Sequence, residues 1–416
     1  MRIRTAGVIA AFALVLAASG CGGTDEPNAT PSKDKGNGKL VIWADTKRTA
    51  ALKPFADQFG KENGVTVEIK EISENLQPTF LTASQQGSGP DVVVGAHDWI
   101  DNLVQNSAID PVNLTAAQKA GFSEVALKAV SFNGQLYGAP YAIENIALVR
   151  NTALAPTAPT SIEELVKTGK ELKAAGKVSE ILCLPIGTAG DAYHIYPLYA
   201  SAGGSLFGAT ATGDPDPKNV TVGSPESIAA FEKLKALGEK GEGALKTSIG
   251  NDNLAPTFTG GKCAYAVTGP WNIPDIKKAG IKYDISEIPG FTGGKAATPF
   301  VGVQTFYVAS KGKSKALAQE FVANYVTNSD VALALYNADP RPPALTAALD
   351  QVKTTDPDAG KFLEAGKGGF PMPAIPEMSA IWGPFGNAEA AVIKGGDAAT
   401  AAAAAAKAIV DAINKK

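Results

Sequence analysis

The chain has 416 residues, which at roughly 100–200 residues per domain predicts two or three domains. Its 38 Lys+Arg against 41 Asp+Glu give a net charge of −3, a balance that argues against a nucleic-acid partner or a polybasic membrane surface. With 44 Gly, 27 Pro and 45% hydrophobic residues, the composition excludes a low-complexity chain and supplies apolar material for two cores.

The N-terminus reads as a targeting segment. Arg2 and Arg4 precede an apolar run from Val8 to Ala18, too short to span about 30 Å of hydrocarbon but suited to a signal peptide over residues 1–20. Small residues then lead into a cysteine, Ala18-Ser19-Gly20-Cys21, the pattern of a bacterial lipobox cut before a lipidated Cys21. An ordinary secretory signal with Cys21 as a bystander is the alternative. Residues 21–38 follow without a large apolar side chain, as a flexible lipid-anchored tether. The body is therefore expected on the extracellular face of the cytoplasmic membrane, or secreted if the lipobox is unused. Cys183 and Cys263 remain, either as a disulfide or as two buried thiols.

Order begins at Lys39. Leu40-Val41-Ile42-Trp43 predicts a buried strand, and Leu52, Phe55, Ala56 and Phe59 mark the apolar face of a helix that stops between Gly60 and Gly64. Val65 to Ile69 alternates as a strand, Phe80 and Leu81 sit in a helix, and Val92-Val93-Val94 forms a third strand after a Gly/Pro break. This alternation predicts an α/β architecture with a largely parallel sheet. A second series follows. Thr160 or Ser161 caps a helix with Glu163 or Glu164 completing a capping box, and Ser224-Pro225 opens another. Cys263 to Val267 is strand-like, Val301 to Val308 is a long β run, and Leu317, Phe321 and Tyr325 lie on one helical face. The Ala-rich tail from Ala398 is helical by propensity.

Catalytic signatures are missing. Gly294-Lys295 and Gly261-Lys262 both fail the Walker A pattern, and Gly203-Gly204-Ser205-Leu206-Phe207 lacks the last glycine of a nucleophile elbow. Two histidines, His97 and His194, and no Cys-x-x-Cys leave no zinc pattern, so neither cofactor nor metal is expected.

The four tryptophans, Trp43, Trp99, Trp271 and Trp382, fall at element ends or Gly/Pro-rich turns. Beside them stand Asp45, Asp98, Glu144 and Asp191, with Tyr193, His194 and Tyr196 close by in sequence. In open α/β sheets, ligands bind at the carboxyl ends of strands. Aromatic faces with hydroxyl-accepting carboxylates and a donating lysine suit a sugar, whose C–H faces stack and whose rim both donates and accepts. Packing and helix capping are the commoner reasons for the same residue types at such positions.

Several segments, in order, give the chain a family likeness: Gly38-Lys-Leu-Val-Ile-Trp43, Gly89-Pro-Asp-Val-Val-Val-Gly-Ala-His-Asp98, Tyr137-Gly-Ala-Pro-Tyr-Ala-Ile-Glu144, Gly269-Pro-Trp271, Pro299-Phe-Val-Gly-Val303 and Pro373-Ala-Ile-Pro-Glu-Met-Ser-Ala-Ile-Trp382. In these it resembles the maltose/maltodextrin-binding proteins of bacterial ABC importers, the family 1 extracellular solute-binding proteins. The resemblance implies a non-enzymatic receptor with a two-lobe, type II periplasmic-binding-protein-like fold, hinge crossings and an interlobe cleft. The first lobe would comprise residues 39–142 plus 305–348, the second 147–300 plus 352–416. Carried over by position, Asp45, Lys47, Asp98 and Glu144 would bond sugar hydroxyls from the first lobe and hinge, and Asp191 and Tyr193 from the second. Trp271 and Trp382 would be stacking platforms, with Tyr196 on the same wall. Three positions depart from the pattern: Gly95 replaces an aromatic, Trp99 stands in place of an Arg and is a candidate to restore the lost stacking surface, and Gly386 replaces another Arg.

The implied partners are an oligosaccharide of the maltose/maltodextrin class, the membrane permease subunits of an ABC importer, and the membrane through the lipid anchor. The protein is expected to be a monomer, without nucleic acid. The alternatives are a secreted glycoside hydrolase using two of Asp98, Glu144 and Asp191, or a binding protein for another solute such as ferric ion, a peptide or a polyol.

Overall fold

A computed structural model of the chain describes residues 38–213, 215–373 and 375–415. The signal segment, Cys21 and the tether as far as residue 37 lie outside the described residues.

The first half is built on strands β1 (Lys39–Ala44), β2 (Thr66–Glu71) and β3 (Val92–Ala96). β1 runs in the middle, parallel to both neighbours, with Ile42 opposite Ile69 on one side and Val92 on the other. Between β1 and β2 the chain forms helix α1 (Thr46–Asn63), which buries Leu52, Ala56 and Phe59 on its inner face. Its start is fixed by Asp45, whose Oδ1 accepts the Arg48 N–H at 3.0 Å, and its end by Gly64 in the left-handed region at φ +65°. β2 is an edge strand with Thr66 and Glu68 turned to solvent, which is why its sequence alternates while that of β3 is continuously apolar. After β3 comes the short helix α2 (Ile100–Gln105).

The expectation of a largely parallel sheet is corrected here. Strand β4 (Ala139–Glu144) and the ten-residue β8 (Phe300–Ala309) belong to the same sheet, and β8 runs antiparallel to both β3 and β4. The reason is topological: β8 comes straight back from the other half of the molecule, with no crossover helix to restore its direction.

The second half has a smaller sheet centred on β5 (Ala147–Asn151), antiparallel to β6 (Tyr265–Thr268) and β7 (Tyr283–Ser286). Around it pack α3 (Ile162–Ala174), α4 (Ala192–Ser201), α5 (Pro225–Leu237), α6 (Trp382–Ile393) and α7 (Ala398–Asn414). Ser161 caps α3 by accepting the Glu164 N–H, but the Glu164 carboxylate returns to the Thr160 N–H at 2.7 Å, so the capping box closes one residue early. The Ala-rich α7 buries Ala398, Ala402, Ala405 and Ile409, a helical stripe that seals the core. Cys183 and Cys263 form a disulfide with their Cα atoms 6.0 Å apart, beside β6.

Two main cores result, and the fold is the two-lobe α/β type. One gathers Ile42, Phe59, Val93, Phe306 and Phe321; the other gathers Leu148, Leu165, Tyr199, Phe231 and Phe385. The chain leaves the first core after Ile143 and joins the second at Ile146; it returns between Phe300 and Val301, and leaves again after Ala348. No helix among the described residues is long and apolar enough to cross a membrane.

Candidate functional site

Two strand ends are built alike, one in each half. β3 passes through Gly95 into a 3-10 turn, His97–Trp99, and β6 leads through Gly269 into another, Pro270–Asn272. A Cβ on Gly95 would fall 2.0 Å from Cζ3 of Trp99, and one on Gly269 2.1 Å from Cζ3 of Trp271. Each indole thus rests on a bare backbone, and each glycine is the condition for its ring. The missing aromatic at Gly95 is thereby explained: the Trp99 ring occupies that space.

The first half contributes a charged network. Asp45 accepts from the Arg48 backbone N–H, and its other oxygen from Arg48 Nη1 at 2.9 Å. Arg48 also donates to the Tyr141 hydroxyl at 2.8 Å and to Asp339 at 2.6 Å. Lys47, half exposed, reaches the same Asp339 at 3.0 Å. Burial and the neighbouring Arg341 and Arg48 charges lower the Lys47 pKa. Glu144, at the end of β4, accepts from Gln304 Nε2 at 3.0 Å and from Arg341. Burial pushes the Glu144 carboxyl up, but Arg341 and Gln304 overcome it and hold the group below the usual range. Arg341 also pairs with Asp339, and its guanidinium lies 5.2 Å from the centre of the Trp271 ring. One side chain therefore joins the first half's carboxylates to the second half's indole.

The second half contributes an aromatic wall. Tyr196 stacks on Phe300 with centroids 3.9 Å apart, Tyr193 lies 6.4 Å from Phe300 in a stacked orientation, and Trp382 meets Phe300 edge-on at 6.2 Å. His194 bridges Tyr193 and Trp271, at 5.3 and 6.1 Å. Asp191 caps α4 by accepting the His194 N–H at 3.0 Å, and also holds Asn251 and the His194 imidazole. Burial pushes Asp191 up and these hydrogen bonds bring it below its ordinary value. The Tyr193 hydroxyl is buried without a partner, and burial, with Glu144 nearby, raises its pKa. Beyond Tyr196 and Phe300 the wall opens into a cavity of about 660 Å³, lined from the first half by Lys128, Ala129 and Ser131.

Asp98 keeps part of its surface open, and burial, slightly opposed by its own backbone N–H, pushes its carboxyl up to about 6. Three residues on, Asp101 is fully buried with neither carboxylate oxygen partnered; burial, with Glu377 and Asp98 adding repulsion, raises it to about 7. His97 is structural: its Nδ1 accepts the Val303 N–H at 3.1 Å, and burial lowers it to about 4. Trp43 is also structural, packed in the first core with Lys70 over its ring.

Of the residues singled out in the sequence, Glu144, Trp271, Asp191, Tyr193, Tyr196 and Trp382 are linked by this chain of contacts. Asp45 and Lys47 join it through Arg48 and Asp339, whereas Trp99 stands on Gly95 beside Asp98. Sequence reasoning missed Arg48, Gln304, Phe300, Asp339 and Arg341. The signal for the last two was present, since Asp339-Pro340-Arg341-Pro342-Pro343 sets opposite charges in a rigid turn at the end of a helix. Among the described residues no group of three or more His, Cys, Asp or Glu is placed to hold a metal ion.

Comparison with known proteins places the architecture. The chain is 27% identical over 393 residues to the galactooligosaccharide-binding protein of Bacillus subtilis, covering 93% of this chain and 91% of that one. It is 27% identical over 420 residues to a maltooligosaccharide ABC transporter solute-binding lipoprotein of Streptococcus pneumoniae, covering 99% and 96%. It is 28% identical over 388 residues to the maltodextrin-binding protein of Bacillus subtilis, covering 90% and 89%. Residues 55–361 match the family of bacterial extracellular solute-binding proteins, and the chain belongs to that family.

Proposed function

We propose that the protein is the sugar receptor of an ABC importer, binding an oligosaccharide of the maltose/maltodextrin class between its halves without cleaving it. The observation that carries this reading is the aromatic wall Tyr193–Phe300–Tyr196–Trp382, continued through His194 to Trp271 and faced by Glu144 and Arg341. Rings offer surfaces for the C–H faces of a sugar; Asp45, Lys47, Asp98, Glu144 and Asp191 offer acceptors and a donor for its hydroxyls. Residues 39–142 with 305–348 and residues 147–300 with 352–416 act as the two closing lobes. A ligand touched by both favours the closed form because only there are all its contacts made. The closed monomer then docks on the permease, held near it by lipid on Cys21. Relatives named for maltooligosaccharides and maltodextrin support the sugar class.

The relative named for galactooligosaccharides favours a second reading, a galactooligosaccharide on the same wall. A thermal-shift panel of maltose, maltotriose, longer maltodextrins, cyclodextrin, trehalose, sucrose and galactooligosaccharides separates the two, since a ligand stabilises by RT ln(1 + [L]/Kd). Maltotriose is expected to raise Tm and to be recovered intact. Stabilisation by galactooligosaccharides alone would establish the second reading, and release of glucose or maltose would make the protein an enzyme.

A further inference from the structure

Glu389 lies on α6, fully buried, one turn below the loop that leads into Asp191. Its Oε1 accepts the Asp191 backbone N–H at 2.8 Å, while its Oε2 is buried without a partner. An ionised carboxylate there would stand in a buried site next to the Asp191 charge, without an ion pair among the described residues to balance it. Burial pushes its pKa well above the ordinary value; the Asp191 N–H that it accepts opposes this, and the Asp191 charge adds to it.

The loop reaches Glu389 because two glycines let backbone touch backbone. Gly190 has φ +82°, and a Cβ on it would fall 1.8 Å from the Gly386 carbonyl oxygen; one on Gly386 would fall 3.0 Å from the Ala189 carbonyl oxygen. Gly386 is one of the positions that depart from the family pattern. With no side chain between them, the loop sits directly on α6. The Asp191 N–H is thereby delivered to Glu389, and the Asp191 carboxylate is turned to His194 and Asn251 on the rim of the aromatic wall.

We propose that Glu389 is a positioning residue for sugar binding, acting through Asp191 by means of a buried carboxyl whose Oε1 accepts the Asp191 N–H and fixes the turn from which the Asp191 side chain projects. Glu389 itself is fully buried and contacts no ligand. The inference rests on the proposed role of Asp191 in the sugar site.

The test is titration of the full mature chain with maltotriose, by calorimetry and Trp emission, for wild type, Asp191→Ala, Glu389→Gln and Glu389→Leu. Gln keeps the acceptor and the shape; Leu keeps the bulk and removes the acceptor, and a thermal melt checks that each variant is folded before it is titrated. Asp191→Ala and Glu389→Leu are each expected to weaken binding by about tenfold or more, the scale of one lost buried hydrogen bond, and Glu389→Gln to bind within about twofold of wild type. If Asp191→Ala weakens binding and Glu389→Leu does not, Glu389 is only filling space and the inference is overturned. If Asp191→Ala binds like wild type, the assignment of Asp191 to the site fails first and takes the role of Glu389 with it.

Discussion

The glycine beneath each indole allows the platform to be moved without removing it. Gly269 has an ordinary backbone conformation (φ −95°), so Gly269→Ala introduces no conformational strain. Its Cβ would nevertheless lie 2.1 Å from Cζ3 of Trp271, where ordinary contact begins at 3.4 Å, so the ring must shift by more than an ångström. A sugar face lying on an indole removes on the order of 80 Å² of apolar surface from water, about 2 kcal/mol at ~25 cal/mol/Å². Losing that contact corresponds to about 30-fold in Kd. Gly269→Ala should therefore weaken maltotriose binding by about 30-fold, matching Trp271→Ala, and shift the Trp emission of the free protein. Overpacking should also cost about 1–3 kcal/mol of folding stability, visible in urea unfolding. Calorimetric titration of Gly269→Ala beside Trp271→Ala is the assay. A Gly269→Ala protein that binds within twofold of wild type, while Trp271→Ala does not, would refute the link between the seat of the ring and its use.

Two further perturbations probe the charged groups. Arg341→Ala leaves Glu144 without its cation and Asp339 with one fewer, and should lower the unfolding free energy by about 3–5 kcal/mol in urea; a loss below 1 kcal/mol would mean that the pairs are already solvated. Asp101 carries a pKa raised from 3.8 to about 7, so between those values the folded chain holds a proton that the unfolded chain has released. Stability is then lost as pH rises from about 4 to about 7, by about 4 kcal/mol at ~1.4 kcal/mol per unit, and is level above that. Asp101→Asn should remove this loss and overtake the wild type in urea titrations at pH 8; parallel pH profiles would count against a buried, unpaired carboxyl.

Local periodicity carried the helices and strands well. The spacing of Leu52, Phe55, Ala56 and Phe59 needs no partner to be read, and α1 covers it. The direction of β8 was not legible, because antiparallel pairing of Phe306 with Val94 joins residues more than two hundred positions apart and leaves no local mark. The same holds within the candidate site. Residue types at strand ends announced acceptors and rings, but the orientation of Glu144 depends on Arg341, and the orientation of Arg341 on Asp339 and Trp271. Asp45 illustrates the ambiguity: a helix cap and a hydroxyl acceptor require the same carboxylate at the same place, and the structure shows it capping α1. Trp43 lies inside β1 and is core, whereas Trp99 lies past the end of β3 and sits over a glycine, a seat provided four residues earlier in the chain at Gly95.

The return of β8 into the first sheet has a consequence for biosynthesis. Val303, Phe306 and Val308 are buried between strands made more than 150 residues earlier, so the N-terminal half lacks a middle strand until three quarters of the polypeptide has emerged. A nascent chain in this condition holds no finished N-terminal globule. The second core likewise takes Phe385, Ala402 and Ile409 from the last stretch of chain to be made, so neither half has its full set of buried side chains until synthesis is nearly over.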